Sequence, residues 1–281
     1  MSQIRDCFIS RYNNGVIMEA DFSQLEVIYL AHICSDQQLI DDLNSGMDLH
    51  IVAAAELFGI PESDVTEAQR KVAKAFRFML QYGAGARHMA EETGHSKTVA
   101  QAFIDNYYAR YPQVREWQDA NIEFCEKNKK VNASKKTSRG YPVSEATILS
   151  ETGRRYVFST SDSPQWMADR GVYTSFLPTM IKNYPVQGGA TGDIVPMMIG
   201  KVHRWLYDQG AIDNVKMIAT VHDSIVLDVP TECINWVGEG VKKVMESAPE
   251  VYEQTFGIPF NLALKVEVKY GRSWGELSNK I

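Results

Sequence analysis

Two hydrophobic periods alternate along the chain, and the points where one gives way to the other mark out its elements. Val16-Ile17-Met18-Glu19-Ala20 is an apolar run of strand type that ends at Asp21, and helical spacing starts near Ser23. Asp36 and Asp48 stand where helix N-caps belong, with Gly46 and Gly59 as stops. Thr66 opens a longer helical pattern that runs to about Tyr82 and is broken by Gly83-Ala84-Gly85. From Ser96 to about Lys130 the spacing is again helical, interrupted at Pro112. It is dense in aromatic residues (Phe103, Tyr107, Tyr108, Tyr111, Trp117 and Phe124) that belong mostly to a core. Val131 to Phe158 reads as short strands and turns around Gly140-Tyr141-Pro142 and Gly153. A helix is expected from about Thr191 to Gln209, introduced by Gly188-Gly189.

Toward the C-terminus, the β-rich runs Val215 to Thr220 and Ile225 to Val229 flank Val221-His222-Asp223-Ser224. That pattern puts His222 and Asp223 at the tip of a hairpin, with Asp228 as a structural residue of the return strand. Thr231 opens an amphipathic helix to about Ser247, and Leu262 to Tyr270 makes a final strand. Strands at both ends around a helical middle predict an α+β fold whose middle is an inserted helical subdomain.

With 281 residues, 44% of them hydrophobic, the chain can bury a large core in one large domain or two smaller ones. No apolar run approaches the roughly 20 residues of a membrane span, and Met1-Ser2-Gln3-Ile4-Arg5-Asp6 lacks a secretory apolar segment, so a cytoplasmic protein is expected. Cys7, Cys34, Cys125 and Cys233 lie far apart, which predicts reduced, packed thiols and no zinc site. A formal net charge of -6 argues mildly against holding nucleic acid by bulk charge alone, leaving local clusters to do it. One cluster holds Lys129, Lys130 and Lys135, followed by Arg139, Arg154 and Arg155; read alone, it fits a solvated loop equally well.

The Thr66 helix carries the first candidate chemistry. Residues four apart drift by only about 40° around a helix, so Arg70, Lys74, Phe78 and Tyr82 form one stripe, cationic early and aromatic late. Such a stripe suits a nucleotide, its phosphates on Arg70 and Lys74 and its base near Phe78 and Tyr82. Solvated cations and core aromatics would explain the same stripe in isolation. Asp21 and Asp223 are remote in sequence but both predicted at strand ends, where two carboxylates can converge. Paired magnesium ions roughly 3.5 to 4 Å apart would then activate an attacking hydroxyl and hold a leaving oxygen of a phosphoryl group. Either Asp alone reads as a turn or cap residue. The succession of carboxylate, cationic helix and second carboxylate makes nucleotidyl transfer the leading reading.

These fragments resemble the palm and fingers of a family A (DNA polymerase I-like) DNA polymerase. Asp21 to Glu26 is similar to the family's first motif, Arg70 to Gly83 to its second and Val221-His222-Asp223 to its third. Supporting similarities are Asp48-Leu49-His50, Tyr108 to Pro112, Gly153-Arg154-Arg155, Asn183 to Gly188 and Val266 to Gly271. The resemblance implies a palm in residues 1–60 and 181–281, an antiparallel sheet with helices, and fingers in residues 61–180, with thumb and exonuclease-like domain absent. It implies DNA synthesis from dNTP on primer-template DNA, with two Mg2+ ions held by Asp21, Asp223 and the Phe22 carbonyl. Arg70, Lys74 and His50 would meet the triphosphate, and Lys74 would protonate pyrophosphate. Glu26 would exclude a 2'-hydroxyl, Phe78 would stack beside the nucleotide, and Tyr82 would hold the templating position. Asn183, Gln187 and His222 would touch template or primer, with Gln24 and Arg155 as further DNA contacts.

Three departures qualify the resemblance. Ser224 stands where the third motif usually has Glu, and single-subunit RNA polymerases share the Ser; Ile28 stands where Arg is usual. The chain also starts about twenty residues before Asp21. A second polypeptide that completes the palm and supplies the thumb is therefore expected, as in a split polymerase that a virus might encode, acting in the host cytoplasm. An RNA polymerase-like enzyme and a primer-template-binding subunit without catalysis are the alternatives.

Overall fold

The computed structural model describes residues 3–81 and 83–281. Its elements begin with β1 (Val16–Phe22), α1 (Leu25–Cys34), α2 (Gln37–Asn44), α3 (Leu49–Phe58), α4 (Glu67–Gln81), α5 (Ala86–Thr93), α6 (Lys97–Arg110) and α7 (Pro112–Asn128). There follow β2 (Lys130–Lys136), β3 (Pro142–Leu149), β4 (Arg155–Ser159), β5 (Ser161–Asp162), α8 (Gln165–Ala168), β6 (Thr174–Ser175) and α9 (Pro178–Gly189). The last are α10 (Val195–Asp208), β7 (Lys216–Val221), β8 (Ser224–Val229), α11 (Ile234–Glu246), α12 (Ala248–Phe256), β9 (Val266–Gly271) and β10 (Asn279–Lys280). The fold is α+β with antiparallel sheets, as the pattern predicts. Two compact units form, one from Met1–Tyr29 with Gln187–Ile281 and one from Leu30–Val186.

In the first unit a five-stranded sheet has the order β10-β9-β1-β8-β7. Strand β1 is central because both its faces are covered: Val16, Met18, Ala20 and Phe22 are buried on one, and Ile17 packs with Val226 and Trp274 on the other. The period of two then places Glu19 and Asp21 on the Ile17 face. Asp228 lies on this face as well, opposite Ile17. It is structural: buried, it accepts from Ser10 Oγ (2.6 Å) and from Arg11 through its N–H (3.2 Å) and Nε (2.8 Å). Helix α11 packs Val237, Val241 and Met245 inward beside β1 and β9.

The second unit is helical, with a three-stranded sheet β2-β3-β4. Cys125 of α7 packs there with Ala146, Tyr156, Phe158, Phe176 and Ile181. Caps fall where the sequence puts them. Asp36 accepts from the Leu39 N–H, Asp48 from those of His50 and Ile51, and Gly59 ends α3 at φ 64°. Thr66 and Gln69 form a reciprocal capping box at the head of α4 (Gln69 N–H to Thr66 Oγ1, 3.3 Å; Thr66 N–H to Gln69 Oε1, 2.9 Å). Gly83 takes φ 79°, and a Cβ there would lie 2.9 Å from Thr179 Cα, so the position needs glycine twice over.

Several boundaries differ from expectation. The lysine cluster lies largely in edge strand β2, where Lys135 meets Glu145 at 2.7 Å; lysines on an exposed edge discourage pairing with other strands. Helix begins at Pro178 rather than near Thr191 and runs through Pro185 into a π-helical turn, Ala190–Ile194, before α10. Gly188-Gly189 therefore lies inside helix. Gly189 is there for room, since a Cβ would overlap the Tyr29 ring. The strand expected from Leu262 starts at Val266 and is followed by a further one, β10, and α12 follows α11 where the sequence pattern shows one helix only.

Candidate functional site

In the first unit, antiparallel pairing sets Asp21 opposite Ser224, so the hairpin tip between β7 and β8 delivers Asp223 to the end of β1. The Phe22 N–H donates to the Asp223 carbonyl at 3.3 Å, and the Ser23 N–H to the Lys265 carbonyl at 2.8 Å, fixing the end of β1 from both neighbours. The two carboxyl groups meet. The Asp21 pKa is pushed up to about 7, first by burial, then by the charge of Asp223 and a hydrogen bond to it; Glu19 adds repulsion and Lys269 partly opposes it. A shared proton is how two such groups coexist without a cation. A divalent ion, which prefers carboxylate oxygens, would replace that proton, so this donor pair fits magnesium.

Both turns that present the pair hold strained residues. Gln24, just after β1, has φ 58°, and His222, at the hairpin tip, has φ 55°, a region that non-glycine residues rarely occupy. Glu26 lies in the first turn of α1, and Gln187 is half-buried in α9, its carbonyl accepting from Thr191 Oγ1 at 2.7 Å. Glu19 was not singled out by sequence reasoning. Strand alternation from Asp21 was the signal that could have found it.

In the second unit Arg70 and Lys74 lie on α4 and His50 in the first turn of α3. Arg70 grips Asp48 Oδ2 through Nε (2.8 Å) and Nη2 (2.7 Å), with Glu67 at 3.8 Å. Burial alone would raise the Asp48 pKa, but hydrogen bonds from Arg70 and from the His50 and Ile51 N–H groups hold it below the usual carboxylate range. One carboxylate thus caps α3 and positions a cation of α4. The His50 ring lies 6.3 Å from the Phe78 ring, and Lys74 Nζ lies 5.8 Å from the same ring. Phe78 is 45% exposed, so at this residue the stripe is open rather than core. Burial, then the charge of Arg77, push the His50 pKa down to about 4; its buried Nδ1 has no hydrogen-bond partner among the described residues.

The other predicted residues are more scattered. Asn183 is buried in α9, and its Oδ1 lacks a partner among the described residues. Arg155 opens β4, exposed. Tyr82 lies outside the described residues. Ile28 is buried as an ordinary core residue. Among the described residues, no group of three or more His, Cys, Asp or Glu side chains is arranged to hold a metal ion, so Asp21 and Asp223 stand as a pair. None of the four cysteines is in a disulfide. No helix among the described residues is long and apolar enough to cross a membrane.

Residues 1–276 match the model of DNA polymerase family A. Similar curated proteins include DNA polymerase I of Pseudomonas aeruginosa, 31% identical over 98% of this chain and 26% of its own length. The thermostable DNA polymerase I of Thermus aquaticus is 30% identical over 97% of this chain and 28% of its own. The chain thus spans about a quarter of the length of these relatives. Among solved structures, the POL domain of Pol1 from M. smegmatis, in complex with DNA primer-template and dNTP, is similar with a TM-score of 0.70 and 25% identity, over 99% of this chain and 43% of that one.

Proposed function

The chain belongs to DNA polymerase family A, and from that premise we propose that it carries out template-directed DNA synthesis. A primer 3'-hydroxyl attacks the α-phosphorus of a deoxynucleoside triphosphate, and the bond to the bridging oxygen breaks to release pyrophosphate. The observation that carries this reading is the meeting of Asp21 and Asp223, which gives two carboxylates a common need for positive charge. Two bound Mg2+ ions would supply that charge, lowering the pKa of the hydroxyl and stabilising the leaving oxygen. Asp21, Asp223 and the Phe22 carbonyl are the proposed ligands.

The chain's own side chains do the rest by positioning and charge. Arg70, Lys74 and His50 receive the triphosphate, and Lys74 carries the proton that the leaving pyrophosphate takes up. Phe78 and Tyr82 flank the base, and Glu26 screens the sugar against a 2'-hydroxyl. Gln24, Arg155, Asn183, Gln187 and His222 contact primer or template. In this reading residues 1–60 and 181–281 form the palm and 61–180 the fingers. A second polypeptide supplies further palm and the thumb; the open edge at β7 and the exposed Ile4, Phe8 and Ile9 support it.

Primer extension tests the reading. Asp21→Ala or Asp223→Ala should lower extension by about a thousandfold, and unchanged synthesis would place the chemistry elsewhere. Equal use of ribonucleotides and deoxynucleotides would remove the role given to Glu26. Size measurement of the natively expressed protein tests the companion: a fully active monomer would eliminate it.

A further inference from the structure

A third carboxylate is held rigidly on the same sheet face as the pair. Glu19 and Asp21 are alternate residues of β1, and Glu19 Oε1 accepts from Trp274 Nε1 at 3.0 Å and from Ser224 Oγ at 3.2 Å, a hydroxyl shared with the Val221 carbonyl at 3.1 Å. Both anchors are themselves buried, Trp274 at 9% exposure and Ser224 at 3%. Ser224 is the residue paired with Asp21 across β1 and β8, so the group that positions Glu19 also adjoins the catalytic strand end. Both donors are neutral, so they fix the carboxylate in place without bringing a counter-charge to it.

The other acids on this face are differently placed; Asp228 is met by Arg11 at 2.8 Å. Glu267, opposite Asp21 on β9, is met by Lys269 at 2.5 Å and by Lys280, so its charge is cancelled locally. Lys269 lies opposite Glu19 in the register and is the cation that could neutralise it, but its ammonium is engaged with Glu267. Glu19 is thus the carboxylate near Asp21 and Asp223 whose charge reaches them.

We propose that Glu19 is a positioning residue for divalent cations: held by Ser224 and Trp274, it supplies a fixed negative charge that strengthens cation binding by Asp21 and Asp223 without being a ligand itself. This rests on the proposed two-carboxylate site. It also gives Ser224 a purpose, since the hydroxyl there orients a carboxylate contributed by the neighbouring strand.

The test is Mn2+ binding to the full chain without DNA or nucleotide, followed by electron paramagnetic resonance, in wild type, Glu19→Gln, Glu267→Gln and Asp223→Asn. Glutamine keeps an acceptor for both anchors and removes only the charge. Glu19→Gln should weaken Mn2+ by about tenfold with an unchanged melting temperature, while Glu267→Gln should leave affinity as it is. The inference is overturned if Glu19→Gln binds Mn2+ as wild type does, or if Glu267→Gln weakens it equally, which would make the effect a general field of the face. A wild-type chain whose Mn2+ binding is indifferent to Asp223→Asn would overturn the two-carboxylate site itself, a distinct result.

Discussion

Asp21 in the sheet unit and Asp48 in the helical unit are both partly buried carboxylates, yet their protons are held in opposite senses. Asp21 faces another acid and rises to about 7; Asp48 is gripped by Arg70 and two backbone N–H groups and falls below its ordinary range. The sheet cluster is therefore unbalanced as it stands, and a cation would relieve it. The helical cluster is balanced internally, and an incoming phosphate would compete with Asp48 for a guanidinium already held in place. One unit is built to be completed by positive charge, the other to present it.

The strongest way to break this contrast is to remove one member of the sheet pair. Asp223→Asn should abolish extension to about one part in a thousand. It should also lower the Asp21 pKa from about 7, though not to the ordinary carboxylate value of 3.8, because burial is the larger cause and remains. Carboxyl 13C titration reads this directly. An Asp21 that stays near 7 would show that burial alone sets it and that the pair is not coupled.

The helical side is probed next. Arg70→Ala should reduce kcat/KM by about tenfold to a hundredfold, the range for losing charged hydrogen bonds. Asp48→Asn should cost much less, since asparagine still caps α3 and a partly exposed ion pair contributes only about 1 kcal/mol. If Asp48→Asn were as damaging as Arg70→Ala, Asp48 would be more than a holder of the guanidinium.

Much of this contrast was legible in the sequence, but unequally. Asp21, Asp223 and the Arg70 stripe could be found because strand ends, hairpin tips and four-residue steps are local patterns. Glu19 was half hidden: strand alternation puts it on the Asp21 face, but its anchoring by Ser224 and Trp274 comes only from the sheet register and chain closure. The grip of Asp48 on Arg70 was half visible. Its capping role is local, but its ion pair spans two helices. The run of helix through Pro185 was missed for a third reason: proline and paired glycines are local breakers, and tertiary packing against Tyr29 overrides them.

A milder test sharpens the sheet side through stability. Asp21 binds its proton more tightly folded, at about 7, than unfolded, near 3.8. Over that interval the native state holds more protons, so stability falls as pH rises through it and is level above. The melting temperature of wild type relative to Asp21→Asn should thus drop by on the order of a few degrees between pH 4 and pH 7, less than the full pKa interval would give because solvent screens a part-exposed carboxylate. Millimolar Mg2+ should cancel the slope. A parallel pair of curves would deny that Asp21 is raised.

The smallest effect concerns His50, which burial and the neighbouring cations should leave a silent group. Burial disfavours its proton first, and Arg77 most strongly among the cations that add to this; Arg70 and Lys74 reinforce it, while Asp48 pulls the other way. With a pKa near 4, His50 is neutral across the working range and contributes a hydrogen bond, not a charge, to whatever anion Arg70 and Lys74 receive. The nucleotide KM should therefore show no change between pH 6 and 8 traceable to His50, and His50→Gln, which keeps a neutral polar group, should preserve that flat profile. Because the folded value lies below the unfolded one, any stability effect appears only as pH falls through the interval from about 6.5 toward 4, where protonation favours the unfolded chain. Imidazole 15N shifts at pH 6 decide the matter. A protonated ring there would mean that Asp48 outweighs three cations at His50, and the helical cluster would then be balanced less completely than its ion pairs indicate.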